Sequence, residues 1–224
     1  MEPHTIESPC GSSGTTAILL AAPLMQQILR SLFARRKYDH ATDGPKNDVL
    51  DVEIRSVAML IDDHVAFGAL ATEVAGQVGP DAIAVLISRL HTPASPVPTG
   101  FESRERGLGG WLAASQFAIF EILFQCGESA LGVLREIAWG EYDWTQGNAI
   151  EILVRLAAKR IGRERTIADI HHEFARVSDE AKRYAVGPLL HRARFEPEVA
   201  VILNELNSVP DWREVVREVD GWEG

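Results

Sequence analysis

The fold is decided by residues 162–206, which read GRERTIADIHHEFARVSDEAKRYAVGPLLHRARFEPEVAVILNEL. Apolar side chains recur in this stretch at positions i, i+3, i+4 and i+7. Two examples are the set Val186, Leu189, Leu190 and Ala193 and the set Val199, Ile202, Leu203 and Leu206. This spacing places apolar side chains on one face of an α-helix. The stretch therefore predicts a series of amphipathic helices that are separated by short junctions.

The same helix–junction–helix unit occurs elsewhere in the chain. The clearest junctions are Gly79-Pro80, Gly127-Glu128, Gly162-Arg163 and Phe195-Glu196. The last three junctions lie 35 and 33 residues apart, whereas the first interval is 48 residues long. Paired helices that repeat every 35–45 residues, roughly, are typical of an α-solenoid. Since no useful run alternates between apolar and polar residues as a strand does, we predict an all-α, right-handed α-solenoid of four or five helical hairpins.

The predicted organisation is a flexible N-terminal tail at 1–14, followed by one helical-repeat domain at 15–224. Prolines and glycines between residues 92 and 110 predict a long loop, which accounts for the longer first interval. The predicted helices are 15–36, 49–61, 63–77, 80–90, 110–125, 128–139, 143–161, 163–177, 179–194, 197–207 and 211–219.

The chain has 224 residues, of which 46% are hydrophobic, and a formal net charge of −10. An acidic chain is poorly suited to bind nucleic acid, because that affinity depends on neutralising phosphates. The same charge favours a basic protein partner, although ordinary solubility is the alternative explanation. The sequence predicts no nucleic-acid partner.

The cysteines and the N-terminus favour a cytoplasmic protein. Cys10 and Cys126 form neither a disulfide framework nor a metal-binding pattern. The first residues lack the basic region of a signal peptide. The apolar stretch 17–25 is too short to span a bilayer, so we expect no membrane association.

Two segments resemble the opening of a HEAT repeat, Asp-x-x-x-x-x-Ala. They are Asp143-Trp-Thr-Gln-Gly-Asn-Ala149 and Asp179-Glu-Ala-Lys-Arg-Tyr-Ala185, and Pro188 stands where HEAT units often carry a proline. The usual Val-Arg pair after the Asp is missing from both segments. Residues 48–207, approximately, resemble HEAT or armadillo-like repeats in spacing and apolar pattern. The resemblance implies convex outer helices and inner helices that line a concave, partner-binding groove.

The most unusual stretch for function is WGEYDW at residues 139–144. Aromatic residues are common at the energetic centres of interfaces, and the acids would attract basic groups of a partner. The predicted partner-binding residues are therefore Trp139, Glu141, Tyr142, Asp143 and Trp144. In the alternative interpretation Asp143 caps a helix, and the two tryptophans pack between repeats.

The sequence predicts no cofactor, no metal site and no catalytic residue. Asp62-Asp63-His64 and His171-His172-Glu173 contain ligand types, but adjacent helical residues point about 100° apart and do not converge on one ion. We expect His171 to lie in the core or at its boundary, because it falls on an apolar stripe. There is no Gly-x-Ser-x-Gly motif, and Gly107-Leu-Gly-Gly110 lacks the features of a phosphate loop.

The predicted function is non-catalytic protein binding through an acidic concave surface. Candidate acids on the second helices are Glu128, Glu136, Asp169, Glu173 and Glu198, although a solvated face explains them equally well. One version is a bacterial immunity or inhibitor protein that masks a basic toxin. The first alternative is a scaffold or adaptor subunit of a larger complex. The second is a DNA glycosylase-type enzyme, by resemblance to HEAT-like alkylpurine glycosylases, which use aromatics and an Asp. The oligomeric state does not follow from the sequence.

Overall fold

A computed structural model describes residues 46–102, 107–141 and 143–221. The predicted tail at 1–14 and the predicted helix at 15–36 lie outside these residues. The described helices are α1 (Lys46–Ala58), α2 (His64–Val78), α3 (Ile83–Ser88), α4 (Thr99–Glu102), α5 (Gly107–Cys126), α6 (Leu131–Trp139), α7 (Gln146–Ala158), α8 (Arg163–Glu173), α9 (Asp179–Ala193), α10 (Pro197–Leu206) and α11 (Pro210–Asp220). Nine of them have nine residues or more, and the described residues contain no strand, so the all-α prediction is confirmed.

Glycine is required at three of the four predicted junctions. Gly79, Gly127 and Gly162 have φ angles of 65°, 62° and 61°. An L-residue with a side chain pays about 1–2 kcal/mol in this left-handed region, whereas glycine adopts it freely. The recurrence of glycine at the junctions therefore reflects a positive φ angle at each of them, although the turns differ, since ψ is −179° at Gly79 and 21° at Gly162.

Helix α7 lies at the centre of the molecule. All thirteen of its residues are buried, and it packs against α5, α6, α8, α9 and α10. The first helices of consecutive hairpins, α5, α7, α9 and α11, contact one another in chain order. The largest fully buried side chains include Trp111, Phe120, Phe174 and Trp212. The core is therefore continuous along the described hairpins.

Ion pairs join neighbouring hairpins at separations of 34–42 residues in sequence. The pairs, with their separations in sequence, are Glu121–Arg155 (34 residues), Arg135–Asp169 (34), Arg183–Glu218 (35), Glu151–Arg192 (41) and Arg163–Glu205 (42). Three of them connect first helices, from α5 through α7 and α9 to α11, and two connect the second helices α6, α8 and α10. Consecutive hairpins thus contact one another through similarly spaced positions.

Part of the predicted loop at 92–110 is held firmly against α5. The indole Nε1 of Trp111 donates to the carbonyl of Ala94 at 2.7 Å, and Gln116 Nε2 donates to the carbonyl of Leu90 at 2.5 Å. The Ala94 amide in turn donates to Ser115 Oγ at 3.3 Å. Helix α4 and the first residues of α5 also lie within this range. The described part of this range is therefore an anchored connection that contains helical turns.

One described segment has the length and composition of a membrane-spanning helix. Residues Gly109–Trp139 reach a mean hydropathy of 1.5 over 18 residues. However, 56% of that window is buried inside the fold. The segment 64–88 passes the same test only as two helices bent by 100°. A buried core helix also satisfies this test, so length and composition are weak evidence for a span.

Candidate functional site

Trp139 lies at the edge of an open groove of about 170 Å³. The groove is lined by Ala138, Trp139, Gly140, Gln146, Glu173, Arg176 and Val177. The indole Nε1 of Trp139 is buried and has no hydrogen-bond partner. Across the groove, Glu173 forms an ion pair of 3.0 Å with Arg176, whose side chain is 78% exposed. An exposed pair of this kind contributes little to stability, at most about 1 kcal/mol. It can therefore rearrange at little cost.

Asp143 is held in place by the turn that precedes α7. Its Oδ1 accepts hydrogen bonds of 2.8 Å from both the amide and the hydroxyl of Thr145. Its Oδ2 lies 3.1 Å from Nε2 of His91. Burial raises the pKa of Asp143, but the hydrogen bonds from His91 and Thr145 outweigh this effect and lower the pKa to about 2. The carboxylate is thus ionised and engaged within the fold.

The alternative interpretation of Asp143 as a helix cap needs correction in detail, and the aligned Asp179 does not cap its helix either. Asp143 bonds the turn at Thr145 and does not cap α7 directly, because Thr145 occupies the N-cap position. At α9 the cap is Ser178, whose hydroxyl accepts from the amide of Ala181 at 3.2 Å. Asp179 is the first residue of that helix. The aligned aspartates therefore do not play the same role.

The other residues of the predicted 139–144 site have different surroundings. The Trp144 ring packs against the His91 ring with centroids 6.0 Å apart. Glu141 is exposed, and Tyr142 lies outside the described residues. Trp139 thus faces the groove formed with Glu173 and Arg176, whereas Trp144 and Asp143 contact the connection after α3. His91 is the participant that sequence reasoning missed, since it is an isolated histidine in a predicted loop.

The five predicted acids of the second helices fall into two groups. Asp169 is buried and is bound by Arg135 Nε at 3.1 Å and by Arg165 Nε at 2.7 Å. Glu173 is paired with Arg176, as described above. Glu128, Glu136 and Glu198 are exposed and form no ion pair with any residue that the structure describes. These three carboxylates therefore remain available to an external cation.

A buried charge network crosses the first helices. The guanidinium of Arg155 donates to both carboxylate oxygens of Glu121, at 2.9 and 3.1 Å, and lies 3.6 Å from Glu151. Glu151 also accepts from Arg192 Nε at 3.1 Å. Burial raises the pKa of Glu121, but Arg155 outweighs this effect and the net shift is downward. The Arg155 guanidinium carbon lies 3.9 Å from the centre of the Phe124 ring. Glu121, Glu151 and Arg155 are buried between helices and are not accessible to a partner, whereas Arg192 is one-third exposed.

Two of the residues that were considered as metal ligands, Asp63 and His171, have other contacts. Asp63 caps α2 by accepting from the amides of Val65 and Ala66 at 3.2 and 3.0 Å. His171 is exposed, and its Nε2 lies 3.5 Å from Ser208 Oγ, which differs from the expected core or boundary position. Among residues 46–102, 107–141 and 143–221, no group of three His, Cys, Asp or Glu side chains could hold a metal ion.

Burial raises the pKa of the Cys126 thiol, which makes it a poorer nucleophile.

Comparison with known proteins finds no family model that matches the chain, and no similar curated protein or solved structure. The function is therefore argued from the fold, the exposed charges and the groove beside Trp139.

Proposed function

We propose that the helical hairpins form a right-handed, HEAT-like α-solenoid that acts as a non-catalytic protein-binding module. Support for the solenoid comes from the ion pairs that recur 34–42 residues apart. Contacts between similarly spaced positions of consecutive hairpins are what a stacked repeat array requires. Glycines with positive φ angles also occupy three of the four junctions between paired helices.

The observation that carries the binding proposal is a set of exposed carboxylates on α6 and on the turns at its two ends, of which the second follows Trp139. Glu128, Glu136 and Glu141 are all exposed, and none forms an ion pair with a described residue. The chain before α1 is neutral by composition, because residues 1–45 contain four acidic and four basic side chains. The net charge of −10 therefore belongs to residues 46–224. Such a field attracts a basic partner and speeds its association.

The partner in this proposal is a basic protein, met in the cytoplasm. One version is an immunity or inhibitor protein that covers the cationic surface of a toxin, and another is an adaptor within a larger complex. The glycosylase alternative gains no support from Asp143, because its carboxylate is engaged by His91 and Thr145. The catalytic carboxylate of such an enzyme must be free to face the substrate, and the groove that binds DNA must be positively charged.

The test is a charge reversal that keeps the net charge matched. The first variant changes Glu128, Glu136 and Glu141 to Lys. The control variant changes three other exposed acids to Lys, namely Asp81, Glu214 and Asp220. Each variant shifts the net charge by the same amount. Immobilised wild-type protein is incubated with native lysate, and the captured proteins are identified and ranked by isoelectric point.

We expect a basic protein to bind the wild type and the control variant with similar affinity. Its affinity for the first variant should be about tenfold lower, since each close charge pair at the rim of an interface contributes about 0.5–1 kcal/mol. Equal loss in both variants would mean that binding follows net charge alone and would contradict the assigned surface. Release of a base from an alkylated DNA duplex by the purified protein would replace the proposal with the enzymatic alternative.

A further inference from the structure

Helix α1 and the turn residue that follows it carry apolar side chains on two opposite sides, and only one of these sides is covered. Leu50, Ile54, Val57 and Ala58 are buried against the neighbouring helices α2 and α5. On the opposite side, Val49 is 65% exposed, Val52 is 53% exposed and Met59 is 50% exposed. At about 100° per residue these three side chains fall within one stripe.

Exposed apolar side chains are concentrated at this end of the described structure. The six large ones are Val49, Val52, Met59, Val65, Phe195 and Val201. Four of the six lie between residues 49 and 65, on α1 and at the start of α2. Single exposed apolar residues are ordinary, whereas several on one part of the surface mark it as a candidate docking site.

We propose that this second face of α1 is the docking surface for the chain's own segment 15–36. The segment immediately precedes α1 in sequence, and it carries Leu20, Leu24, Ile28, Leu29 and Leu32 at helical spacing. An apolar stripe of this kind needs a surface to bury it, and the α1 stripe is of matching character. Burial of both stripes would contribute about 25 cal/mol for each Å² of apolar area removed from water.

The connection between the two segments is long enough for this arrangement. Nine residues, 37–45, separate the two segments in sequence, and nine residues reach about 30 Å when extended. Helix α1 has 13 residues and is about 20 Å long. Segment 15–36 can therefore return along α1 and extend as far as Val65. It would form the terminal cap that a repeat array requires at its open end.

The competing occupant of the face is a second copy of the chain. Both arrangements would bury the same α1 stripe, but only an intermolecular contact depends on protein concentration. A measurement on the full-length protein at two concentrations separates the two.

The experiment is amide hydrogen exchange, read by mass spectrometry on the full-length protein. The amides of residues 18–33 should exchange at least about tenfold more slowly than in an unfolded peptide of the same sequence, and equally slowly at low and high protein concentration. The variant Val52→Asp with Met59→Asp should remove this protection. Both side chains are half exposed or more, so α1 and the rest of the fold should keep their own exchange rates. Val201→Asp, which changes an equally exposed valine on α10, should leave residues 18–33 protected.

A second variant tests the contact from the other side. Ile28→Asp with Leu32→Asp should also remove protection from residues 18–33, and combining it with the α1 variant should add nothing, because both act on one contact. The proposal is overturned if residues 18–33 exchange at unfolded rates in the wild type, or if the α1 variant leaves their protection intact. It is also overturned if protection rises with concentration and light scattering shows a dimer that the α1 variant dissociates, which would assign the face to a second copy.

Discussion

Replacing Gly147 with alanine should be unusually damaging for so small a change. Gly147 is buried near the start of α7, where that helix crosses α9. A Cβ atom at this position would lie 2.5 Å from the carbonyl oxygen of Ala181 and 3.2 Å from the amide nitrogen of Ala185, and it would also collide with Cβ of Tyr184. All three atoms belong to the backbone of α9 or are attached directly to it. The clash can be relieved only by moving one helix away from the other.

The size of the effect follows from two opposing terms. Overpacking of a core costs about 1–3 kcal/mol, and contacts with an immobile backbone place this case near about 3 kcal/mol. Alanine gains about 1 kcal/mol over glycine in a helix. The free energy of unfolding should therefore fall by about 2 kcal/mol, which corresponds to a fall in Tm of about 4–8 °C for a chain of this size.

The assay is urea unfolding followed by circular dichroism, with a thermal scan of the same samples. Gly76→Ala is the matched control, since Gly76 is an exposed residue within α2 and no heavy atom lies within 4 Å of the added Cβ. This control should gain about 0.5–1 kcal/mol. The reasoning is refuted if Gly147→Ala is as stable as the wild type, because α7 and α9 would then not approach as closely as the structure shows.

Two further predictions concern charged groups. Arg155→Met should lower the free energy of unfolding by about 3–5 kcal/mol, because it leaves Glu121 buried without its cation. In a double-mutant cycle measured by urea unfolding, adding Glu121→Leu should recover most of this loss. Additive losses would contradict the pairing of the two side chains. Asp143 has a folded pKa of about 2, below its ordinary value of 3.8, so its ionisation stabilises the fold above about pH 4 and this contribution is lost as the pH falls towards 2. Asp143→Asn should therefore flatten the rise in stability between pH 2 and 4 in urea titrations, whereas a profile parallel to that of the wild type would contradict the role of its hydrogen bonds.

The helices were predictable from the sequence because two independent local signals agree. The apolar stripes place the helices, and the junction glycines mark where the backbone must adopt a positive φ angle. The fourth hairpin shows the limit of the second signal, since its junction at Phe195 carries no glycine and was located from the stripes alone. The predicted helix 143–161 begins later in the structure, at Gln146, because Asp143 and Thr145 form a turn of their own.

The surroundings of the candidate site were not predictable, because they depend on residues far apart in sequence. His91 contacts both Asp143 and Trp144, yet nothing about an isolated histidine in a Pro-rich stretch indicates these partners. Similarly, Asp169 stands in a second helix like the exposed glutamates, but Arg135 and Arg165 bind it in the interior. A charged residue on a predicted helix can thus face a partner protein or a neighbouring helix. The distinction requires the packing of the hairpins.

The repeat-spaced ion pairs explain why apolar stripes alone would be a poor guide to the stacking. A hairpin could slide by one turn against its neighbour and still bury leucine and isoleucine side chains, because the hydrophobic effect is non-directional. Glu121 with Arg155 and Glu151 with Arg192 would lose their partners in that shifted register, at a cost of several kcal/mol for each buried charge. We therefore expect these charges to favour the observed register over shifted ones. If the exposed glutamates on and next to α6 form the binding surface, the same ion pairs would help to set their positions relative to the next hairpin.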